Sequence, residues 1–230
     1  MRRFFTFALA AFGTALAGPT APLLHAGEIP GALLEVTATT PFAPLQNWSS
    51  APPRFVLMDD GQVFLGGSKD LLSGRLEKDE VKAFEAQVEG VRKMPGLASV
   101  VAFAEGDEPS FHLRVSRGKP LDVRAAGDPA KASPALRPLA VLLEKVLRFD
   151  HPSLRPYAPA SLWLVAHEGV RRGGCWIWTL ATTPREAAGG ATVPASAVET
   201  WASGVCPTRV CVGDKSYEVS LRPLLPGERP

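Results

Sequence analysis

The sequence is poor in the side chains that most often carry out chemistry. Its 230 residues include three cysteines, four histidines and two tyrosines. Neither the Cys-x-x-Cys nor the His-Glu-x-x-His spacing of zinc sites occurs. Gly-x-Ser-x-Gly is also absent, and no Ser-x-x-Lys stands at the head of a predicted helix. We therefore predict no metal, no cofactor and no catalytic residue from motifs.

A strong excess of charge is missing as well. The chain has 25 Lys and Arg residues against 23 Asp and Glu residues. Two of the basic residues, Arg2 and Arg3, lie in a segment that we expect to be removed, which would leave the mature chain close to neutral. Binding to nucleic acid through the phosphate backbone requires a positive surface. We therefore expect no nucleic-acid partner.

The N-terminus has the pattern of an export signal. Arg2 and Arg3 precede an apolar run over residues 4–16, and small residues then end at Ala17, where signal peptidase can cut. The run is shorter than the roughly 20 residues that a membrane-spanning helix needs. We predict a signal peptide over residues 1–17, with a second possible cut after Ala26. The mature chain is expected in the periplasm or outside the cell, without a transmembrane segment.

Export changes the interpretation of the three cysteines. In an oxidising compartment one pair can form a disulfide, which leaves one cysteine over. We favour Cys206 with Cys211 because a short loop separates them. Cys175 with Cys211 is the alternative, since sequence cannot confirm a pairing.

The segment "RFVLMDDGQVFLGG" is the strongest hairpin signal in the chain. Strand-forming residues alternate on both sides of Asp59-Asp60-Gly61, and Asp-Gly tolerates the positive φ of a tight turn. We expect the two carboxylates at a solvated tip. Glycines at 61, 66 and 67 resemble a phosphate-binding loop, but Gly67 stands where the essential lysine would be. The pattern therefore favours a structural turn.

Two amphipathic helices are predicted in the first half of the chain. From Glu77 to Met94 the apolar residues Val81, Phe84, Val88 and Val91 recur three or four residues apart. A second helix is expected to begin at Ser133, as N-cap, with Pro134 in its first turn. Its apolar face comprises Leu136, Leu139, Leu143, Val146 and Leu147. Strands are predicted over 33–39, 99–103, 111–115 and 121–124.

The second half of the chain is also predicted to combine strands with a helix, but with fewer residues. We predict strands over 161–166 and 175–180, a short helix over 194–202 with Val198 and Trp201 inward, and a closing hairpin over 210–221. Residues 151–157, "HPSLRPY", are interpreted as a linker. The chain is therefore predicted to be an α+β protein with mainly antiparallel strands, two main helices and a shorter C-terminal one. Its subdomains are expected at 27–150 and 158–230.

Three segments, taken together, resemble a known group of proteins. "PPRFVLMDDGQVF", "YAPASLWLVAHE" and "VGDKSYEVSLRPLLPGE" resemble, in that order, a family of uncharacterised exported bacterial proteins. The shared features are a Phe-x-Leu-x-x-Asp-Gly hairpin, a Tyr-x-Pro linker and a terminal Arg-Pro-Leu-Leu-Pro. The chain departs from the family in lacking a lipobox cysteine and in having Glu77 where a Ser cap is usual. The resemblance implies an order of elements and a compartment, and it implies no activity.

Two kinds of site remain as hypotheses. Trp176 and Trp178 share one face of a predicted strand and could line a ligand groove, although aromatic side chains more often fill a core. An enzyme would need His112, His151 or His167 to meet Cys175 or a carboxylate in a cleft. We predict a non-catalytic binding or interaction protein of the bacterial envelope or exterior, whose partner is a protein or a small ligand. The alternative is a hydrolase whose site is assembled only in the fold.

Overall fold

A computed structural model describes residues 29–39, 55–66, 71–103, 109–169, 176–198 and 209–229. The predicted signal peptide and both possible cleavage points lie outside these ranges. Cys175, Trp201 and Cys206 also lie outside them, and Trp176 is described by its backbone alone.

An eight-stranded sheet forms the larger part of the described chain. In chain order its strands are β1 (Ala32–Thr39), β2 (Phe55–Met58), β3 (Gln62–Gly66), β4 (Leu71–Arg75), β5 (Val100–Ala102), β6 (Ser110–Val115), β7 (Leu121–Ala126) and β8 (Arg155–Pro156). Their spatial order is β5-β7-β6-β1-β2-β3-β4-β8. Only the pairing of β5 with β7 is parallel among these strands.

Two helices, α1 (Lys78–Arg92) and α2 (Arg137–Leu147), cover one face of this sheet. The buried stripe of α1 is the one predicted, namely Val81, Phe84, Val88 and Val91. The helical segment leading into α2 begins with Ser133 as N-cap and Pro134 in the first turn, as predicted, but this first turn is a 3₁₀ turn over Pro134–Leu136. Pro138 has no N–H to bond back to the carbonyl of Pro134, and the N–H of Arg137 makes a shorter-range bond to that carbonyl instead.

The predicted hairpin is confirmed as β2 and β3. The N–H of Gly61 donates to the carbonyl of Met58 at 3.1 Å. Gly61 has a φ of +87°, and no non-glycine residue in the described ranges has a positive φ. The loop is therefore a tight turn followed by a left-handed glycine, a common three-residue hairpin connection. Asp59 and Asp60 are exposed at this turn, as predicted, and Oδ2 of Asp60 also lies 2.8 Å from Nη2 of Arg75.

The segment predicted as a linker adds a strand to the larger sheet. β8 pairs with β4 at the sheet edge, and the N–H of Tyr157 donates to the carbonyl of Leu71 at 2.8 Å. Residues 151–157 therefore join the two halves and also extend the first of them.

A second sheet of five strands follows. Its strands are β9 (Ser161–Gly169), β10 (Trp176–Ile177), β11 (Ala191–Pro194), β12 (Arg209–Val212) and β13 (Lys215–Pro223), in the spatial order β10-β12-β13-β9-β11. The predicted closing hairpin is confirmed as β12 and β13. Of the helix predicted over 194–202, the described part is a 3₁₀ turn, Ala195–Val198, with Val198 buried as predicted, while residues 199–202 lie outside the described residues. A four-residue helix, α3 (Pro184–Ala187), precedes β11.

The C-terminal segment packs the second half against the first. Leu225 belongs to an apolar cluster with Val56 and Phe64, on the sheet face opposite the helices. Arg222 and Glu228 form an ion pair at 2.6 Å with side chains 2% and 0% exposed. Removing one partner of such a pair costs about 3–5 kcal/mol. The Arg-Pro-Leu-Leu-Pro segment therefore has a structural role.

The chain has a mixed α+β fold rich in antiparallel pairing, as predicted. Three α-helices occur within the described ranges. None of them is long and apolar enough to cross a membrane.

Candidate functional site

A groove with a volume of about 540 Å³ lies between α1, α2 and the segment that follows α2. We call it the helix groove. It is lined by Leu76, Glu80, Ala83, Phe84, Val141, Glu144, Lys145, Arg148, Phe149, Asp150 and His151. Its apolar side chains continue the main core, in which Phe84 is 2% exposed and packs against Phe149 with ring centroids 6.1 Å apart.

Glu80 lies in the groove because of its position in the first turn of α1. Its Oε2 accepts a hydrogen bond of 2.8 Å from the N–H of Glu77, the N-cap residue. Its Oε1 lies 3.3 Å from Nε2 of His151. Both carboxylate oxygens are therefore engaged, one in capping the helix and one in holding the histidine.

His151 follows α2 and is fixed from three sides. Its ring stacks on Phe149 with centroids 6.3 Å apart and an angle of 15°. Its Nδ1 contacts Ser153, whose N–H donates to it at 3.2 Å. Its Nε2 lies 3.3 Å from Oε1 of Glu80, and a carboxylate can only accept a hydrogen bond. This nitrogen is therefore engaged, and the ring is only 20% exposed.

Lys145 projects from α2 over the ring of Phe84. Its Nζ lies 3.8 Å from the ring centroid, a cation–π contact. Burial lowers the pKa of Lys145, and the negative charge of Glu80 acts in the opposite direction. Within the described part of the chain the ammonium makes no hydrogen bond and no ion pair. Its three donors are therefore available to a bound molecule.

The remaining charged residues stand at the groove margin. Glu144 lies 3.7 Å from Arg137, measured between Oε1 and Nη1. The side chains of Arg148 and Asp150 are exposed and have no hydrogen-bond or ion-pair partner among the described residues.

Ser153, His151 and Glu80 superficially resemble a catalytic triad, because Oγ of Ser153 lies 2.7 Å from Nδ1 of His151. The hydroxyl is, however, bonded to the edge of β4. It accepts from the N–H of Arg75 and donates to the carbonyl of Arg75, both at 3.0 Å. A Cβ built on Gly74 would lie only 2.5 Å from this oxygen. Ser153 also does not line the helix groove, so it fastens a turn to the sheet.

The predicted tryptophan groove is described only in part. Trp178 is half-buried against the second core, and its Nε1 donates to the carbonyl of Thr182 at 2.7 Å. It lines neither the helix groove nor the smaller groove described below. The side chain of Trp176 lies outside the described residues. A ligand groove at Trp176 and Trp178 therefore stays a prediction.

Cys211 is disulfide-bonded. Both of the partners considered for it, Cys175 and Cys206, lie outside the described residues. The pairing of Cys206 with Cys211 therefore stays a prediction.

The other histidines do not meet in a common cleft. Nε2 of His112 lies 2.8 Å from Oδ1 of Asp122 on the larger sheet, whereas His167 is exposed on β9. No group of three or more His, Cys, Asp or Glu side chains within the described ranges is arranged to hold a metal ion. Only His151 meets a carboxylate in a groove among these three histidines.

Sequence reasoning missed the helix groove, although parts of its signal were present. Glu80 stands three residues after the N-cap, which is the position of the acidic residue in a capping box. The local pattern does not single out Lys145. The sequence does not show that the end of α2 packs near the start of α1. This packing brings residues 80, 145 and 151 together.

A second groove, of about 310 Å³, lies on the other side of α1, next to the hairpin of β6 and β7. We call it the hairpin groove. Val88 and Val115 are among its apolar lining residues. Its charges are paired, with Nη1 of Arg117 at 3.0 Å from Oε1 of Glu85 and Arg92 bonded to Glu89.

Comparisons with protein-family models, curated proteins and solved structures found no match to this chain.

Proposed function

We propose that the protein is an exported, non-catalytic binding protein that holds a small ligand in the helix groove. The observation that carries the proposal is the groove itself, in which Lys145 presents unused hydrogen-bond donors above an aromatic floor. Concave sites with an apolar lining and a few convergent polar groups are the usual form of small-molecule sites. The groove volume of about 540 Å³ lies within their range of roughly 300–1,000 Å³.

The compartment forms part of the same proposal. The positive n-region, the apolar run and the small residues before position 18 support export. The resemblance to the family of exported bacterial proteins supports the same location. A disulfide between Cys206 and Cys211 suits an oxidising compartment. The Trp176 and Trp178 face remains the second candidate surface for a ligand.

A blocking substitution tests whether the helix groove is the binding site. Ala83 lines the groove, and Ala86 is exposed on the same helix outside it. We expect Ala83→Trp to weaken the binding of 4-phenylbutanoate, 4-phenylbutanol or 4-phenylbutylamine, whichever binds the wild-type chain, by at least about tenfold. Ala86→Trp should leave that affinity unchanged. Ligand-observed NMR measures the affinities, and equal binding by the two variants would refute the location.

The hydrolase alternative has a separate test. His151 beside Ser153 is the observation that favours it, and the bonds from Ser153 to Arg75 oppose it. We expect no hydrolysis of p-nitrophenyl butyrate above the rate of an equal concentration of imidazole. A faster rate that is lost in both Ser153→Ala and His151→Gln would replace the binding proposal with the enzymatic one.

A further inference from the structure

We infer that the ligand of the helix groove is a carboxylic acid with an apolar body, whose carboxylate is bound by Lys145. The inference rests on the proposed function and specifies its ligand. It follows from which charged groups of the groove are already engaged and which are not.

Most acidic side chains of the helix groove already have a hydrogen-bond or ion-pair partner. Glu80 uses one oxygen for the N–H of Glu77 and the other for His151. Glu144 lies next to Arg137. Asp150 alone among the acidic lining residues has no partner in the described part of the chain, and it is exposed at the margin.

The basic side chains show the opposite pattern. Lys145 and Arg148 have no hydrogen-bond or ion-pair partner among the described residues. Lys145 is the more informative of the two, because its ammonium is partly withdrawn from water. Burial already lowers its pKa, so a carboxylate that accepts its hydrogen bonds would replace hydration that the fold has removed. Such charge-assisted bonds are stronger than neutral ones.

The position of the ammonium also indicates the rest of the ligand. Nζ of Lys145 lies directly over Phe84, and Leu76, Val141 and Phe149 line the same groove. A carboxylate bound at Nζ therefore has apolar side chains beside it. Val141 and Phe149 retain solvent-exposed surface. Acetate would leave that surface uncovered, whereas an acid with an aryl or alkyl body would cover it.

A cationic ligand fits this arrangement less well. An ammonium group would approach two uncommitted cations, Lys145 and Arg148, and would find the carboxylate oxygens of Glu80 already engaged. The one uncommitted carboxylate, Asp150, is exposed at the groove margin. Like charges brought together in a site cost affinity and thereby set specificity. The groove should therefore discriminate by charge as well as by shape.

A matched series of probes tests the inference. 4-Phenylbutanoate, 4-phenylbutanol and 4-phenylbutylamine share one apolar body and differ in the charge of the head group, while acetate has the head group alone. We expect the full chain at neutral pH to bind the acid at least about tenfold more tightly than the alcohol. The amine should bind more weakly than the alcohol, and acetate should bind more weakly than the acid. Titration calorimetry or NMR gives the dissociation constants.

Variants assign the preference to Lys145. Lys145→Met should bring the acid and the alcohol to within about threefold of each other, and Lys145→Arg should restore part of the preference by restoring the charge. Lys82→Met removes an exposed lysine of α1 that pairs with Asp79 outside the groove. It should keep the full preference for the acid. Thermal unfolding of each variant shows whether it is folded.

The outcomes separate the two proposals. Equal binding of acid and alcohol, or a preference for the amine, with binding blocked by Ala83→Trp, would overturn the carboxylate inference and leave the groove as the binding site. A preference that survives in folded Lys145→Met would overturn the role of Lys145. Failure of all four probes to bind the folded wild-type chain would overturn both proposals.

Discussion

The helix groove and the hairpin groove lie on opposite sides of α1 and are both lined by charged side chains above apolar ones. In the hairpin groove each basic side chain has an acidic partner, Glu85 for Arg117 and Glu89 for Arg92. In the helix groove Lys145 rests on an aromatic ring, and its acidic neighbour Glu80 is bonded to other groups.

This difference shows that the number of charged side chains in a groove does not identify a binding site. Paired charges in the hairpin groove tie α1 to the hairpin of β6 and β7, since Glu85 and Arg117 lie on different elements. Lys145 has no acidic partner of this kind among the described residues, and its contact with Phe84 leaves hydrogen-bond donors unused. Binding capacity therefore follows from donors and acceptors that the fold leaves unused.

The largest expected effect comes from removing the floor of the helix groove. Phe84 is 2% exposed and lies 5.4 Å from Phe55 between ring centroids. Phe84→Ala should lower the free energy of unfolding by about 3–5 kcal/mol, because it leaves a cavity in the core. Val88→Ala, under the hairpin groove, removes fewer buried atoms and should cost less than half as much. Urea unfolding measures the free energy of unfolding of both variants. Similar losses would show that Phe84 and Val88 contribute equally to stability.

The second effect concerns the turn that precedes α1. Gly61 has a φ of +87°, and a Cβ there would lie 2.8 Å from the carbonyl oxygen of Leu76, a residue of the helix groove. Gly61→Val should cost about 2 kcal/mol or more, because a β-branched residue is strained in this conformation. Gly90→Val is the control, since Gly90 has no atom within 4 Å of a built Cβ. Unchanged stability of Gly61→Val in chemical unfolding would contradict this account of the hairpin.

A third prediction tests the pairing in the hairpin groove. A double-mutant cycle with Glu85→Gln and Arg117→Gln should give a coupling free energy of about 0.2–1 kcal/mol, because the pair is substantially exposed. The coupling should decrease in high salt. Lys145→Met in the helix groove breaks no ion pair and removes only the cation–π contact with Phe84. A coupling free energy of zero would mean that the ion pair between Glu85 and Arg117 does not stabilise the fold.

The smallest effect is a shift in the titration of Lys145. Burial lowers its pKa, whereas the negative charge of Glu80 raises it. Glu80→Gln removes the second influence, so the pKa of Lys145 should fall further. Glu85→Gln, in the hairpin groove, should leave it unchanged. NMR titration of the lysine Cε resonance measures the pKa. A higher pKa of Lys145 in Glu80→Gln than in the wild-type chain would contradict a pKa-raising effect of Glu80.

Local patterns were sufficient for much of the fold. The α1 stripe and the β2–β3 hairpin were predicted because helical spacing and turn chemistry act over a few residues. Ser133 and Pro134 begin the helical segment before α2 as predicted, whereas its 3₁₀ first turn was not predicted, because Pro138 was not weighed against Pro134. The short helix predicted over 194–202 is described only up to residue 198. Pro194 ends β11, which pairs with β9, and Ala195–Val198 is a 3₁₀ turn in which Val198 is buried as predicted.

The sequence by itself determined the mixed α+β class, the hairpin turns and the buried face of α1, because each depends on neighbouring residues. Only the tertiary structure decided which charges remain unused. Glu80, Lys145 and His151 meet because α2 packs on α1 and the segment after α2 bonds to β4 through Ser153. Burial and pairing are properties of that packing, so no local pattern could distinguish Lys145 from the other lysines of the chain.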